Sequence, residues 1–246
     1  IEEAQITGQL EHPNIPPVYD LGINKENNLF FTMKHIKGET LENIIKKIKE
    51  NSDSTKEIYS YNSLVNIFIK VCNALEFAHS KKVIHRDIKP ENIMVGEYGE
   101  VLLMDWGLAK ILGTKEEFEE LSGERVSSVR SEDESSNTIE GMTAGTPAFM
   151  SPEQATGQMD ELDQRSDIYS LGATLYAVLA LERPFKGKNI QEILKNAAEG
   201  RIHQMTRIVP PELKAITLKA MEFEQKDRYQ TIKEMEKDLL NYQMGY

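Results

Sequence analysis

The sequence predicts an α+β fold in which a small strand-bearing N-terminal part precedes a larger, mainly helical C-terminal one. Three observations predict it. Two apolar runs, Val18 to Gly22 and Leu29 to Met33, flank a polar turn from Asn24 to Asn28 and read as paired strands. A second pair, Ile93-Met94-Val95 and Val101 to Met104, brackets the turn Gly96-Glu97-Tyr98-Gly99. Elsewhere, and almost throughout after Glu153, apolar residues recur at three and four, the spacing of one helix face.

The helical elements follow in order. Thr40 can cap a helix running from Leu41 to about Glu50, and a polar loop follows from Asn51 to Tyr61. Leu64, Phe68, Val71, Leu75 and Ala78 mark a long helix that delivers the chain to His85. Cys72 shares that stripe with Phe68 and Ile69, so it reads as core filler rather than a redox switch. Asp167 to Leu181 is apolar on nearly all sides, as a helix through the middle of a domain should be, and Arg183-Pro184-Phe185 ends it. Asn189 to Glu199, Pro210 to Glu222 and Thr231 to Tyr242 are amphipathic and form an outer layer with solvated charged faces.

Composition sets bounds on function. A chain of 246 residues makes one large domain or a lobed pair, burying about 70–75% of its unfolded surface. One cysteine excludes an internal disulfide framework and fits a reducing compartment. No apolar run approaches the ~18–20 residues of a spanning helix, and no signal peptide opens the chain. The net charge of −11 argues against nucleic acid or an anionic membrane as partner. Much of that charge is local: Lys115 to Glu140 holds nine acidic and three basic residues with several Ser and Thr, which predicts a disordered acidic insertion over 113–142. His35, His79 and His203 have no ligand-spaced partners and carry no metal role.

The chemistry concentrates in His85-Arg86-Asp87-Ile88-Lys89-Pro90-Glu91-Asn92, with Asp105-Trp106-Gly107 starting eighteen residues past Asp87. Asp87 is a carboxylate able to orient and deprotonate a hydroxyl. Lys89 reaches the same site from the same side of an extended loop and can offset developing negative charge. Asn92 supplies a neutral oxygen and Asp105 an anionic one, a pair suited to a hard cation such as Mg²⁺. The intervening hairpin sets the distance between them. This set is what phosphoryl transfer requires, because that reaction depends on positioning and charge stabilisation.

Further on come Gly145-Thr146-Pro147, Ser151-Pro152-Glu153-Gln154, Asp167-Ile168-Tyr169-Ser170-Leu171-Gly172 and Asp227-Arg228-Tyr229. In this order the motifs resemble the protein kinase superfamily, and more narrowly bacterial serine/threonine kinases of the PknB type. The resemblance runs from Glu2 to about Tyr242, with Ser151 standing where many relatives have alanine. It implies a protein-kinase-like fold, with a partial N-lobe over 1–36 (the αC helix, two strands and the start of the hinge) and a complete helical C-lobe over 37–243. The 113–142 insertion then lies in the activation loop.

The resemblance also implies roles. Asp87, Lys89, Asn92 and Asp105 become catalytic, Asn92 and Asp105 hold Mg, and Glu3 is the αC glutamate. Met33, otherwise plain core, becomes the gatekeeper of an adenine pocket; Lys34 to Ile36 become the hinge that reads adenine, and Glu91 joins the ATP-binding set. Arg86 pairs with a phosphate on the activation loop, for which Thr138 and Thr143 are the best acceptors; the alternative is a solvated acidic loop that is never modified. Thr146 bonds within the catalytic loop, His85 packs under Trp106, Asp167 holds the catalytic-loop backbone and Arg228 pairs with Glu153. Trp106 replaces the usual phenylalanine. It is either a subfamily variant with unchanged chemistry, roomed by Ala4, Thr7 and Gly8, or the mark of an altered off-state.

The chain opens at Ile1, and neither a Gly-x-Gly-x-x-Gly loop nor the strand lysine that pairs with Glu3 is present, so the resemblance implies a fragment. Its partners would be ATP and proteins bearing Ser or Thr, with room for self-association in trans-autophosphorylation. The kinase domain would be cytoplasmic, in a protein that a segment outside this chain can anchor to a membrane. Three readings stand: a serine/threonine kinase catalytic domain, a catalytically silent pseudokinase or docking module, and a small-molecule phosphotransferase of related fold. Intact Asp87, Lys89, Asn92 and Asp105 disfavour the second, and Ser151-Pro152-Glu153 disfavours the third.

Overall fold

The structure is a computed structural model that describes residues 7–25, 29–50, 59–112 and 146–245. Strands β1 (Val18–Ile23) and β2 (Leu29–Met33) pair antiparallel, with Leu21 opposite Phe31 and an irregularity between Val18 and Asp20. Before them, residues 7–9 are helical, and Leu10 and Ile15 are buried. Asn14 fastens this N-terminal part to the rest. Its carbonyl accepts from Leu103 N at 2.9 Å, and its Nδ2 donates to Val101 O at 2.8 Å.

After the hairpin, β3 (Gly38–Thr40) joins β5 (Ile93–Gly96) and β6 (Val101–Leu103) in an antiparallel sheet ordered β3-β5-β6. Ile93 lies opposite Leu103, so the ends of the β5–β6 hairpin bring Asn92 and Met104 together. Helix α1 (Leu41–Lys49) starts where the capping chemistry predicts: Thr40 Oγ1 accepts from Asn43 N at 3.2 Å. Helix α2 (Tyr61–Ser80) begins one residue inside the stretch predicted as loop, because Ser60 caps it by accepting from Ser63 N. Its predicted stripe is buried, Cys72 with it, and burial pushes that thiol well up in pKa, as suits core filler.

Two-residue strands β4 (Val83–Ile84) and β7 (Lys110–Ile111) pair antiparallel on either side of the motif region. Then follow α3 (Pro152–Ala155) and α4 (Gln164–Ala180), the latter buried along almost its whole length. Both ends of α4 differ from the predicted ones. It starts three residues earlier because Asp163 caps it, accepting from Arg165 N at 2.7 Å. It stops at Ala180 because Leu181 turns left-handed at φ 56°, before Arg183-Pro184-Phe185 is reached.

Helices α5 (Ile190–Ala198), α6 (Pro211–Ala220) and α7 (Ile232–Met244) complete the C-terminal layer. α6 packs on α4, and α7 on α2. The α4–α6 approach needs a glycine, since a Cβ on Gly172 would lie 2.7 Å from Ala220 Cβ. Among the described residues no helix is long and apolar enough to cross a membrane.

Candidate active site

The motif loop leaves β4 at Ile84 and turns sharply at Arg86, whose φ of 68° few side chains adopt. Such a turn persists only if its surroundings over-determine it. Asp167 on α4, 1% exposed, does most of this. Its Oδ2 accepts from His85 N at 2.8 Å and its Oδ1 from Arg86 N at 2.9 Å. The same Oδ2 meets His79 Nε2 at 2.8 Å. Burial alone would raise the Asp167 pKa; the bonds from His79 and the loop amides outweigh it and hold the group below the usual range. On the other side of the turn, Gln154 Nε2 donates to Arg86 O at 2.7 Å.

His85 is fully buried and uses both ring nitrogens. Nδ1 accepts from Asp87 N at 3.2 Å, and Nε2 lies 3.0 Å from Met104 O. These partners assign the neutral tautomer with its proton on Nε2, and burial pushes the pKa down to match. The Trp106 ring meets His85 edge-on at 4.6 Å between centroids, and its Nε1 donates to Leu103 O at 3.0 Å. Thr7 and Gly8 line a separate cleft of about 480 Å³ with Lys34 and Leu102, in which Trp106 takes no part. Trp106→Phe should therefore cost about 1–3 kcal/mol in urea denaturation, from an unpaired Leu103 carbonyl and lost volume, while changing kcat by less than about threefold. A larger change in basal rate with stability intact would favour the altered off-state.

Asp87, 8% exposed, stands at the centre of a small polar group. Lys89 Nζ lies 2.6 Å from its Oδ2. Asn92 Nδ2 donates to Asp87 O at 2.8 Å and to Oδ2 at 3.0 Å. Asn92 O accepts from Met104 N at 2.7 Å, which puts Asp105 one residue beyond that bond. Asp105 itself is exposed, with φ 61°. The structure thus bonds Asp87, Lys89 and Asn92 together, and Asp105 follows directly after the Met104 N–Asn92 O bond.

Met33 ends β2 opposite Val18, and Lys34 N donates to Pro17 O at 3.2 Å; Lys34 is exposed and Ile36 half-buried. Glu91 Oε1 is 3.5 Å from Arg183 Nη2, while its Oε2 is buried and has no hydrogen-bond partner among the described residues.

Further into the helical layer, Arg228 is 3% exposed and spends all five of its donors. Nη1 and Nη2 grip the Glu153 carboxylate at 2.8 and 2.9 Å, and the carbonyls of Arg165, Glu222 and Phe223 take the remaining three. The guanidinium also lies 4.7 Å from the Tyr169 ring centroid. Burial pushes the Glu153 pKa up, but Arg228 and a 2.6 Å bond from Ser166 Oγ win and hold it at about 2.

Glu3, Ala4, Thr138, Thr143 and the 113–142 segment lie outside the described residues, as does the side chain of Thr146. Sequence reasoning missed His79 and Gln154. His79 sits four residues past Leu75, on the predicted helical stripe, which marks it as inward-facing; nothing local pairs it with Asp167, 88 residues away.

The protein kinase domain family matches residues 1–244. A serine/threonine-protein kinase PknD of Protochlamydia amoebophila is 39% identical over 254 positions, covering 100% of this chain and 25% of that protein. PknD of Chlamydia trachomatis serovar D is 36% identical over 252 positions and that of Chlamydia pneumoniae 31% over 253, again across 100% of this chain. The chain spans about a quarter of the length of these curated relatives. With that match and these relatives, the chain is a protein kinase domain and belongs with the serine/threonine kinases of bacteria.

Proposed function

We propose that this domain transfers the γ-phosphoryl group of ATP to Ser and Thr hydroxyls of proteins, with Asp87 as the base. The bonded Asp87–Lys89–Asn92 group is the observation that carries this. Both side-chain contacts fall on Asp87 Oδ2, so Oδ1 is the oxygen left for a substrate hydroxyl. As the hydroxyl oxygen bonds to phosphorus, its proton passes to Asp87 and the bond to ADP breaks, with the electron pair leaving on ADP. Lys89, 2.6 Å from Asp87 Oδ2, sits where charge builds on the transferred group.

The donor set fits a hard cation. Asn92 Nδ2 is spent on Asp87, which leaves its Oδ1, and Asp105 adds an exposed carboxylate; these two would hold Mg²⁺. Bound there, the ion screens the charge of the triphosphate. At the hinge, Lys34 N is committed to Pro17 O, so the Lys34 carbonyl and the Ile36 backbone are the groups for adenine, behind which Met33 forms the wall. Glu91 joins the ATP-binding set, and Glu3 serves as the αC glutamate of N-lobe residues 1–36, with 37–243 as C-lobe.

Control would run through Arg86 and a phosphate on Thr138 or Thr143 in the acidic 113–142 insertion, with Trp106 setting the ring position and Thr146 bonding inside the loop. We place the domain in the cytoplasm, with Ser/Thr-bearing proteins as substrates and self-association for trans-autophosphorylation. The test is phosphoamino-acid mapping after incubation of the full-length protein with γ-labelled ATP, Mg²⁺ and a mixed peptide library. Label on Ser and Thr is the expected result; label confined to Tyr, or to small molecules, would overturn the reading.

A further inference from the structure

Gln154 is the third residue of α3 and at first sight only completes a capping box. Ser151 Oγ accepts from Gln154 N at 3.4 Å, and Gln154 Oε1 accepts from Ser151 N at 3.1 Å. Oε1 also lies 3.2 Å from Ser151 Oγ and 3.5 Å from Ser170 Oγ. All of these use the oxygen end of the amide. The nitrogen end does something a cap does not need, reaching 2.7 Å from the carbonyl of Arg86, 68 residues earlier.

That carbonyl belongs to the peptide that carries Asp87. The amides of His85 and Arg86 are held by Asp167, so the left-handed turn is gripped on its N–H side from α4. Gln154 grips its C=O side from α3. Rotation of the Arg86–Asp87 peptide would re-aim the Asp87 carboxylate; His85 Nδ1 holds the N–H of that peptide, and Gln154 Nε2 holds its C=O. We propose that Gln154 is a positioning residue for the base, coupling the anchored Thr146–Ala155 segment to the orientation of Asp87 through one amide group. The proposal rests on the reading of Asp87 as base.

The two ends of the amide can be separated by substitution. Gln154→Glu keeps an oxygen for Ser151 N but replaces the donor facing Arg86 O with an acceptor. Ser151→Ala removes the cap hydroxyl and leaves the Arg86 bond in place. In full-length protein with Mg²⁺-ATP and a peptide substrate, Gln154→Glu should lower kcat about tenfold to a hundredfold with KM for ATP within about twofold, as expected for a small displacement of a reacting group. Ser151→Ala should lower the melting temperature and leave kcat within about threefold.

A Gln154→Glu protein that melts like the parent and keeps its kcat would overturn the proposal. So would equal losses of kcat in Ser151→Ala and Gln154→Glu, which would mean that only the cap matters. Should Gln154→Glu fail to fold, Gln154→Met decides by the same kcat-against-KM split. Asp87→Asn measured alongside separates the two failures: parent-like kcat there removes the base and this proposal together, whereas a dead Asp87→Asn beside an active Gln154→Glu removes only the proposal.

Discussion

Asp87→Asn is expected to lower kcat by about 10²–10⁴-fold, the range that general-base catalysis contributes. KM for ATP should stay within about threefold, because the substitution removes an interaction made in the transition state rather than one that binds nucleotide. The substitution is close to isosteric, and Asn92 keeps its bond to the backbone carbonyl of residue 87. What disappears is the charge that Lys89 meets at 2.6 Å and the oxygen basic enough to take a proton. Steady-state kinetics with a Ser/Thr peptide at varied ATP measures both quantities. A proportional rise in KM with kcat unchanged would move Asp87 from chemistry to substrate binding.

The largest effect on stability is expected at Arg228. Arg228→Met should cost about 3–5 kcal/mol, since it strands a buried Glu153 carboxylate and three carbonyls. The pH dependence gives a second readout. Glu153 sits at about 2 against an ordinary 4.5, a depressed folded-state pKa. Its contribution to stability is therefore fully present above about pH 4.5 and is lost as pH falls towards 2. In Arg228→Met burial is no longer opposed by the guanidinium, so the Glu153 pKa moves above 4.5 and the sign of its contribution reverses. Urea denaturation at neutral pH and near pH 4 should show a large parent–variant gap that narrows on acidification. A gap independent of pH would mean that the guanidinium matters through packing alone.

How much of this was legible in the sequence depended on range. Thr40 acts within its own turn, and short-range chemistry of that kind is visible in residue order. The motif loop was legible because its residue types are few and their spacing is constrained by the reaction. The start of α4 was not, because the apolar run begins at Ile168, whereas the first turn holds Arg165 and Ser166, residues with polar work to do. The Arg165 guanidinium bonds Asp163 and Gln225, and Ser166 Oγ donates to Glu153, which explains polar residues in this turn. Strands β3, β4 and β7 are two or three residues long and carry too little pattern to read. The Gln154–Arg86 and His79–Asp167 bonds join residues 68 and 88 positions apart, which no local periodicity encodes.

The claim that Asp87 and its neighbours form a phosphoryl-transfer site meets its most direct test in intact mass. The full-length protein and its Asp87→Asn twin would be incubated with Mg²⁺-ATP and weighed side by side. Whole phosphate increments in the parent and none in the twin are the expected result. Equal increments in both proteins would contradict the assignment of the base, and none in either would contradict the assignment of catalysis to this site.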